Sequence, residues 1–398
     1  MYVHKLTREL KYLISLFAFR DVSDLFLGTF FVSFIMQLSP NEILSVAQYR
    51  LFEYTATCTG FFLFANWCKR HNKVAVFALN LIPKIALLLA IVLLGNRAVD
   101  YVIPLGFIYG LGSALYCLPA NAMIGEKVDS ASMGVFMGAK NAVKHATKLI
   151  APVVLGFFID LGSYEQVAYF LLGLSAFELI MTCMLTPSRH KSNVPADFVG
   201  FFRCMLRFRT IRHVFIMESL RGFSMGLLGT VITMYTVYMF KTDLNLGIFT
   251  TLFALCSILT SWVTGRYFGR KNWPRLLIIC MVMMVGGMSA FIYKTTPLTF
   301  LVYSFVYSTA LIAIEQIINV KMFNLSQSKC VSQNHKVEYF VFRDFALFVG
   351  RWAGFTGLMY IGVFGGYAWL RWYLVLITIV MLLAGLNAYQ LCITHRKH

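Results

Sequence analysis

The sequence predicts an all-α polytopic membrane protein of twelve transmembrane helices, arranged as two six-helix bundles. Three observations favour this fold class. Of the 398 residues, 59% are hydrophobic and 13% are charged, and the mean hydropathy is +0.71, whereas an ordinary soluble domain carries about 25% charged residues. Apolar runs long enough to cross a bilayer recur along the chain. Short basic clusters lie between those runs, as in membrane proteins of fixed orientation.

Each predicted span is an apolar run of about twenty residues, because the hydrocarbon core is about 30 Å thick and a helix rises about 1.5 Å per residue. The runs fall near residues 12–36, 44–66, 74–95, 102–124, 133–158, 165–186, 213–239, 245–267, 275–294, 298–323, 338–362 and 368–392.

The connections differ strongly in basic charge from one side of the membrane to the other. Most of the 35 Lys and Arg residues lie on the side that holds both termini, and the opposite connections hold Arg97, Lys241, Lys294 and Arg371. Since cytoplasmic loops are enriched in Lys and Arg, both termini of this cell-membrane protein are predicted to be cytoplasmic. The same distribution explains the net charge of +18, so nucleic-acid binding is not expected.

The two halves of the chain resemble each other. Residues 27–29 (Leu-Gly-Thr) match residues 228–230, and Arg20 matches Arg221, at a steady offset of about 200 residues. A parallel repeat of six plus six spans is a known transporter plan.

The longest connection divides the halves and is basic. The predicted domains are an N-terminal bundle at 1–186, a cytoplasmic linker at 187–212 and a C-terminal bundle at 213–398.

Motifs for enzymatic chemistry or cofactor binding are missing from the sequence. There is no Walker A motif, no C-x-x-C pair and no His/Cys metal spacing, and the nine cysteines are scattered. The first apolar run is broken by charges and is not followed by a signal cleavage site. Neither an enzyme, a resident metal nor a cofactor is therefore expected.

The sequence resembles the major facilitator superfamily over essentially the whole chain, in three features. These are the 6+6 layout with a basic central loop, a partly kept loop motif and a partly kept fifth-span motif. Residues 265–271 keep the end of the family's G-x-x-x-D-R-x-G-R-[RK] motif, and residues 66–71 keep one arginine of it, with Asn66 at the acidic position. In the fifth span, Ala151-Pro152 and Gly156 look like the G-P-x-x-G-G motif typical of antiporters.

This resemblance implies the major facilitator fold and a central cavity that opens alternately to each side. Spans 1, 2, 4, 5, 7, 8, 10 and 11 would line the cavity, and spans 3, 6, 9 and 12 would support them. The loop motifs imply gating roles for Arg70, Gly269 and Arg270.

The fifth span carries Lys140, Lys144 and Lys148 at i, i+4 and i+8, which places them on one helix face. Ionisable residues within spans are costly and usually paired or functional. We expect Lys144 and Lys148 to attract an anionic group of a substrate. The alternative is structural ion pairs, with Asp24 and Glu53 as the plausible carboxylates.

Further spans add candidate polar contacts to the substrate. Arg20 and Asp24 share a face at i, i+4, and Glu218 and Arg221 do so at i, i+3. Each pair either gates the cytoplasmic mouth of the cavity or is a structural ion pair. The substrate-binding candidates besides the lysines are Arg20, Arg221, Tyr116, Asn121 and Arg351. For the uncharged ones, helix kinking and packing is the alternative.

Proton coupling requires a carboxylate whose affinity for protons is tuned by burial and by nearby cations. Asp24, Glu53 and Glu315 are the best-placed candidates, and Glu315 has no cation close by in sequence.

Glycines recur at helix-packing spacing, which lets backbones approach closely. The pairs are Gly106 with Gly110, Gly134 with Gly138, Gly222 with Gly226, and Gly350 with Gly354.

These features together predict a monomeric secondary transporter in the lipid bilayer, whose partners are protons and a small-molecule substrate. Proton-coupled efflux of a small organic, antibiotic or peptide-like compound, of anionic character, is the leading hypothesis. The alternative is a proton symporter that imports an organic anion or nutrient, and a lipid flippase ranks third.

Overall fold

The computed structural model describes residues 7–128, 133–187, 196–207, 209–240, 242–267, 272–326 and 336–394, and all regular secondary structure in these ranges is helical. The helices are α1 (Arg8–Leu25), α2 (Phe31–Leu38), α3 (Glu42–Arg70), α4 (Lys73–Ala78), α5 (Leu81–Leu94), α6 (Val102–Lys127), α7 (Met133–Leu161), α8 (Tyr164–Cys183), α9 (Phe198–Arg207), α10 (Arg209–Phe240), α11 (Asp243–Tyr267), α12 (Trp273–Tyr293), α13 (Pro297–Ser326), α14 (Lys336–Phe364) and α15 (Gly366–Thr394).

Each predicted span coincides with one long helix or with a continuous helical run, except the third, which a turn at residues 79–80 divides into α4 and α5. A π-helical segment, Phe26–Phe30, joins α1 to α2, and a 3₁₀ segment, Gly95–Tyr101, precedes α6. Among the described residues, ten ranges are long and apolar enough to cross a membrane; one of them, Lys73–Ile124, covers two predicted spans, and α3 is not among them. The all-α membrane class is confirmed, and the count of twelve crossings stays a prediction.

The chain forms two compact units. The first comprises Met1–Ala196 together with Thr236–Thr251, and the second comprises Asp197–Tyr235 together with Leu252–His398. The division between Ala196 and Asp197 lies inside the predicted linker. The end of α10 and the start of α11 belong to the first unit.

In the first unit, α3 and α6 pack backbone against backbone. A Cβ atom added at Gly106 would collide with the carbonyl of Tyr49, and one added at Gly110 would collide with the carbonyl of Glu53. The packing role predicted for this glycine pair is therefore confirmed. Close approach lets the polar side chains of these two helices reach α1.

In the second unit, glycines bring α10 and α14 together in the same way. A Cβ atom at Gly222 would meet the backbone of Leu347, and one at Gly350 would meet the backbone of Ser219. This contact places the charged residues of α10 beside those of α14. The side chains around Gly134 and Gly138 lie outside the described part of the chain.

Candidate functional site

The first helical run contains a π turn that exposes backbone carbonyls to the neighbouring helix. The Leu27 carbonyl accepts a hydrogen bond from Tyr49 Oη at 3.1 Å, and the Gly28 carbonyl accepts one from the Arg50 guanidinium. π turns inside α-helices are frequent at functional sites. The repeated Leu-Gly-Thr motif therefore marks the point where this run is bonded to α3.

Arg20 and Asp24 form a buried polar cluster with side chains of α6. Arg20 is 3% exposed, and its Nε lies 2.8 Å from Asp24 Oδ1. Arg20 Nη2 donates to Ser113 Oγ at 3.2 Å, and Tyr109 Oη donates to Asp24 Oδ1 at 3.2 Å. The guanidinium carbon lies 4.9 Å from the centre of the Tyr116 ring, within cation–π range. The ion pair predicted between Arg20 and Asp24 is formed. The Asp24 side chain is 37% exposed, so solvent can reach it.

The second candidate carboxylate is held more tightly. Arg50 Nη1 lies 2.6 Å from Glu53 Oε2, and the two side chains are 10% and 9% exposed. Both residues lie on α3, one turn apart. Two of the three proton-coupling candidates are thus each paired with an arginine of their own helix.

The lysine stripe on α7 faces an acid that was not among the predicted partners. Asp21 on α1 interacts electrostatically with Lys140, Lys144 and Lys148. Lys140 Nζ also lies 4.3 Å from the centre of the Phe17 ring. The stripe carries three positive charges, whereas Asp21 supplies one negative charge.

Helix α7 has two exposed faces of opposite chemistry. Lys144 and Lys148 are exposed on one of them. At 3.6 residues per turn, Ile150 and Phe157 point about 180–200° away from Lys148, and these two are 62% and 48% exposed. The apolar face suits lipid. A lysine facing lipid at mid-membrane would cost about 2.5–3.5 kcal/mol on insertion scales, so the lysine face suits water or polar groups.

The worn antiporter motif forms a tight contact between α7 and the start of α11, within the first unit. A Cβ atom at Gly156 would lie 2.5 Å from the Asp243 carbonyl oxygen, and one at Gly247 would collide with the Pro152 carbonyl. Thr251 Oγ1 also donates to the Leu149 carbonyl at 3.0 Å. The glycine spacing therefore serves close helix contact at this position.

A polar cluster at the start of α11 was missed by the sequence analysis. The carboxylate of Asp243, 3% exposed, accepts from Tyr164 Oη at 2.6 Å and from Gln37 Nε2 at 3.0 Å. The carboxylate of Asp160 accepts from the backbone N–H groups of Asp243 and Leu244, at 3.1 and 3.0 Å. Asp243 begins a helix directly after two polar residues in the sequence, which is a cue for an exposed cap, and packing against α2, α7 and α8 buries it.

The second unit contains a cluster in which two arginines share one carboxylate. Glu218 is fully buried; its Oε2 lies 3.0 Å from Arg221 Nε, and its Oε1 lies 3.5 Å from Arg343 Nε on α14. Glu315 on α13 interacts electrostatically with Arg221. Arg351 is half-buried, and its aliphatic stem lies beside Gly226 of α10. The structure thus supplies Glu315 with a cation from a neighbouring helix.

One buried ion pair joins the helices of the third and sixth predicted spans. Lys84 Nζ on α5 lies 2.8 Å from Glu178 Oε1 on α8, and the two side chains are 1% and 6% exposed. The resemblance assigns both spans to the periphery. This ion pair therefore holds the two supporting helices together.

The remaining candidates lie at the ends of helices or outside the described residues. Asn121 and Arg70 are exposed, near the ends of α6 and α3 respectively. Asn66, at the acidic position of the loop motif, accepts a hydrogen bond from the backbone N–H of Ala196 at 2.7 Å. Gly269 and Arg270 lie outside the described residues.

Comparisons with known proteins place these features in a family context. The family model described as "Major Facilitator Superfamily" matches residues 16–330. An uncharacterized protein of Bacillus subtilis (strain 168), YqgE, is 21% identical over 335 residues, which are 82% of this chain and 76% of that protein.

Solved structures of similar fold cover nearly the whole chain. A bacterial homologue of the iron transporter ferroportin, in an inward-facing state, has a TM-score of 0.67 at 14% identity and covers 98% of this chain and 99% of its own. A POT family transporter in complex with 5-aminolevulinic acid has a TM-score of 0.67 at 11% identity, with 95% of both chains covered. The human organic anion transporter MFSD10 has a TM-score of 0.63 at 12% identity, with 96% of this chain and 100% of its own covered.

Proposed function

The chain belongs to the Major Facilitator Superfamily and is a multi-pass membrane transporter, and from this premise we propose that it exports a small organic anion in exchange for protons. An antibiotic or a peptide-like compound with a free carboxylate is the expected kind of substrate.

The lysine stripe of α7 is the observation that carries this proposal. Lys144 and Lys148 are exposed on the face opposite the apolar one, and charged side chains in spans mark water-filled substrate paths. The three lysines carry more positive charge than the single negative charge that their acidic neighbour on α1, Asp21, supplies. Such a surface attracts an anion and repels a metal cation, which favours an organic anion over iron, the cargo suggested by the name of one structural neighbour, a bacterial homologue of the iron transporter ferroportin.

The proposed direction rests on the fifth-span motif. Ala151, Pro152 and Gly156 resemble the motif typical of antiporters, and Gly156 lies against the backbone of α11.

The proposed coupling group is Asp24. Its side chain is more than one-third exposed and is bonded to Arg20 and Tyr109. Protonation would remove the charge that Arg20 neutralises, so the affinity of this cluster for an anion would depend on whether Asp24 carries a proton. This linkage couples the anion to protons in the exchange proposed here and in the symport alternative alike.

The names of two structural neighbours agree with a small charged organic substrate. One is an organic anion transporter, and another was solved with 5-aminolevulinic acid. The alternative, proton symport that imports an organic anion or nutrient, is supported by the same lysine stripe. A flippase is a weaker alternative.

Transport by the full-length protein in sealed vesicles tests the proposal. Candidate substrates with a free carboxylate, beginning with the zwitterion 5-aminolevulinic acid and the anion carboxyfluorescein, are loaded or added under an imposed pH gradient, and their flux and the internal pH are recorded. Anion movement opposite to proton flow supports export, movement with it supports the symport alternative, and flux that ignores the gradient removes the coupling proposal. Asp24→Asn should abolish the gradient dependence.

The lysine stripe is tested in the same vesicles. Lys144→Ala and Lys148→Ala should each raise the KM for the anion about tenfold or more, since a hydrogen bond to a charged group contributes about 1.5–3 kcal/mol. Lys294→Ala, which removes the same charge from an exposed position between α12 and α13, should leave the KM unchanged. Full retention of transport by both stripe variants would show that the lysines are structural.

A further inference from the structure

Helix α9 is a short helix within the predicted cytoplasmic linker, and one of its faces is anchored to the second unit. Phe201 and Met205 are buried, and the Phe201 ring lies 5.2 Å from that of Phe342 on α14. At its start, Asp197 Oδ1 accepts from the Gly200 N–H at 2.8 Å, and the Asp197 N–H donates to the buried Glu338 at 3.1 Å. The helix is therefore held in one orientation.

A second face of α9 is apolar and exposed. Val199, Phe202 and Leu206 are 64%, 44% and 52% exposed. At about 100° per residue they cluster within about 60° of one another, and the middle of this stripe lies about 110° around the helix from the middle of the Phe201–Met205 face. An exposed apolar stripe of this kind marks an interaction surface.

Two arginines border this apolar stripe on one side. Arg203 and Arg207 are exposed and lie about 40–80° from Val199 around the helix. Arg212, near the start of α10, is also exposed. Apolar side chains on one face with basic residues beside them are the pattern of a helix that lies in the membrane interface, where the aliphatic part sinks into acyl chains and the cations meet head groups.

The position of α9 in the chain fits an interfacial location. It ends at Arg207, directly before α10 (Arg209–Phe240), which contains a membrane-span range. Its residues belong to the basic side of the protein, where the cytoplasmic leaflet supplies anionic lipid. The positive charge beside the exposed apolar stripe therefore favours anionic lipid as its binding partner.

We propose that α9 binds anionic phospholipid, with Val199, Phe202 and Leu206 among the acyl chains and Arg203 and Arg207 on the phosphate groups. The bound lipid holds α9 over the charged cluster beneath it, because Phe201 and Met205 line the same small cavity as Glu218 and Arg343. This surface is separate from the lysine stripe and does not depend on the direction of transport.

Hydrogen exchange of the full-length protein in lipid nanodiscs tests the proposal. Amide protection in α9 is compared between phosphatidylcholine alone and phosphatidylcholine with phosphatidylglycerol. Since each of the two arginines at an anionic surface raises the binding constant about fivefold, we expect amide protection to rise about twenty-five-fold with phosphatidylglycerol. The Arg203→Gln/Arg207→Gln double variant should lose this rise, while exchange in α8 stays unchanged.

Matched variants separate lipid binding from simple charge or folding effects. Arg97→Gln/Lys294→Gln removes two exposed positive charges elsewhere and should keep the full rise. Phe202→Gln/Leu206→Gln should lower α9 protection in both lipid mixtures, since it removes the acyl-chain contact. Equal protection of wild-type α9 in detergent and in both lipid mixtures, or an undiminished rise in the arginine variant, would overturn the proposal.

Discussion

At the scale of single residues, three ion pairs of the first unit are of two kinds. Arg20 with Asp24 and Arg50 with Glu53 are pairs within one helix, whereas the Lys84–Glu178 pair bridges two helices. A pair within one helix constrains only the side chains. A pair between helices also fixes how those helices pack, and removal of one member leaves the other charged and buried.

The Lys84–Glu178 bridge yields a prediction about stability. Glu178→Gln should destabilise the folded protein by about 3–5 kcal/mol, because Lys84 then stays buried without its carboxylate. Thermal unfolding of the detergent-solubilised protein measures this as a lower Tm. The Lys84→Met/Glu178→Leu double variant should recover most of the loss, and Glu165→Gln, at an exposed position of the same helix, should change little. An unchanged Tm for Glu178→Gln would show that the bridge does not stabilise the protein.

At the scale of helices, glycine seams decide which elements approach backbone to backbone. Gly106 and Gly110 bring α6 against α3, and Gly222 and Gly350 bring α10 against α14. Without a hydrophobic force between helices in lipid, van der Waals contact across such seams stabilises association. The same seams position the polar clusters, since the Glu53 carbonyl lies at Gly110 and Glu218 lies one turn before Gly222.

The α3–α6 seam yields a prediction with an internal control. Gly110→Ala should destabilise the protein by about 1–3 kcal/mol, since overpacking forces backbone shifts and the added Cβ atom meets both the Glu53 carbonyl and Ala56. Gly173→Ala, in α8, meets nothing within 4 Å and should be neutral or stabilising. The two variants are compared by thermal unfolding in the same detergent, and equal Tm values for them would contradict a tight seam.

At the scale of the whole molecule, charge predicts orientation. In the predicted topology the basic connections lie on the side of both termini, and Arg97, Lys241, Lys294 and Arg371 lie in the opposite connections. The positive-inside rule then predicts that the termini, the 187–212 linker and α9 face the cytoplasm. The proposed lipid contact of α9 depends on the same orientation, because anionic lipid faces the cytoplasm.

Reporter fusions test this orientation. A green fluorescent protein fused to the C-terminus should fluoresce in a bacterial host, and alkaline phosphatase inserted after Lys294 should be active. The same enzyme inserted after Arg207, in the linker, should be inactive, since it folds only outside the cytoplasm. Activity at Arg207 with inactivity at Lys294 would invert the predicted topology.

The sequence by itself determined the class of the molecule and the contacts within each helix. Hydropathy locates helices at every predicted span, and spacing of three or four residues sets Arg20 beside Asp24 and Arg221 beside Glu218. Helix geometry is regular, so a fixed separation in sequence is a fixed position in space. The glycine spacing predicted close packing for the same reason.

Only the tertiary structure decided which helices meet and which groups thereby become partners. It set Asp21 opposite the lysine stripe, joined Lys84 to Glu178, buried Asp243 beside Tyr164 and laid α9 on α14. These partners lie far apart in the chain, so their meeting depends on the packing of whole helices. Packing sums many weak contacts that no local pattern records, and the candidate site is therefore far less predictable from sequence than the helices that carry it.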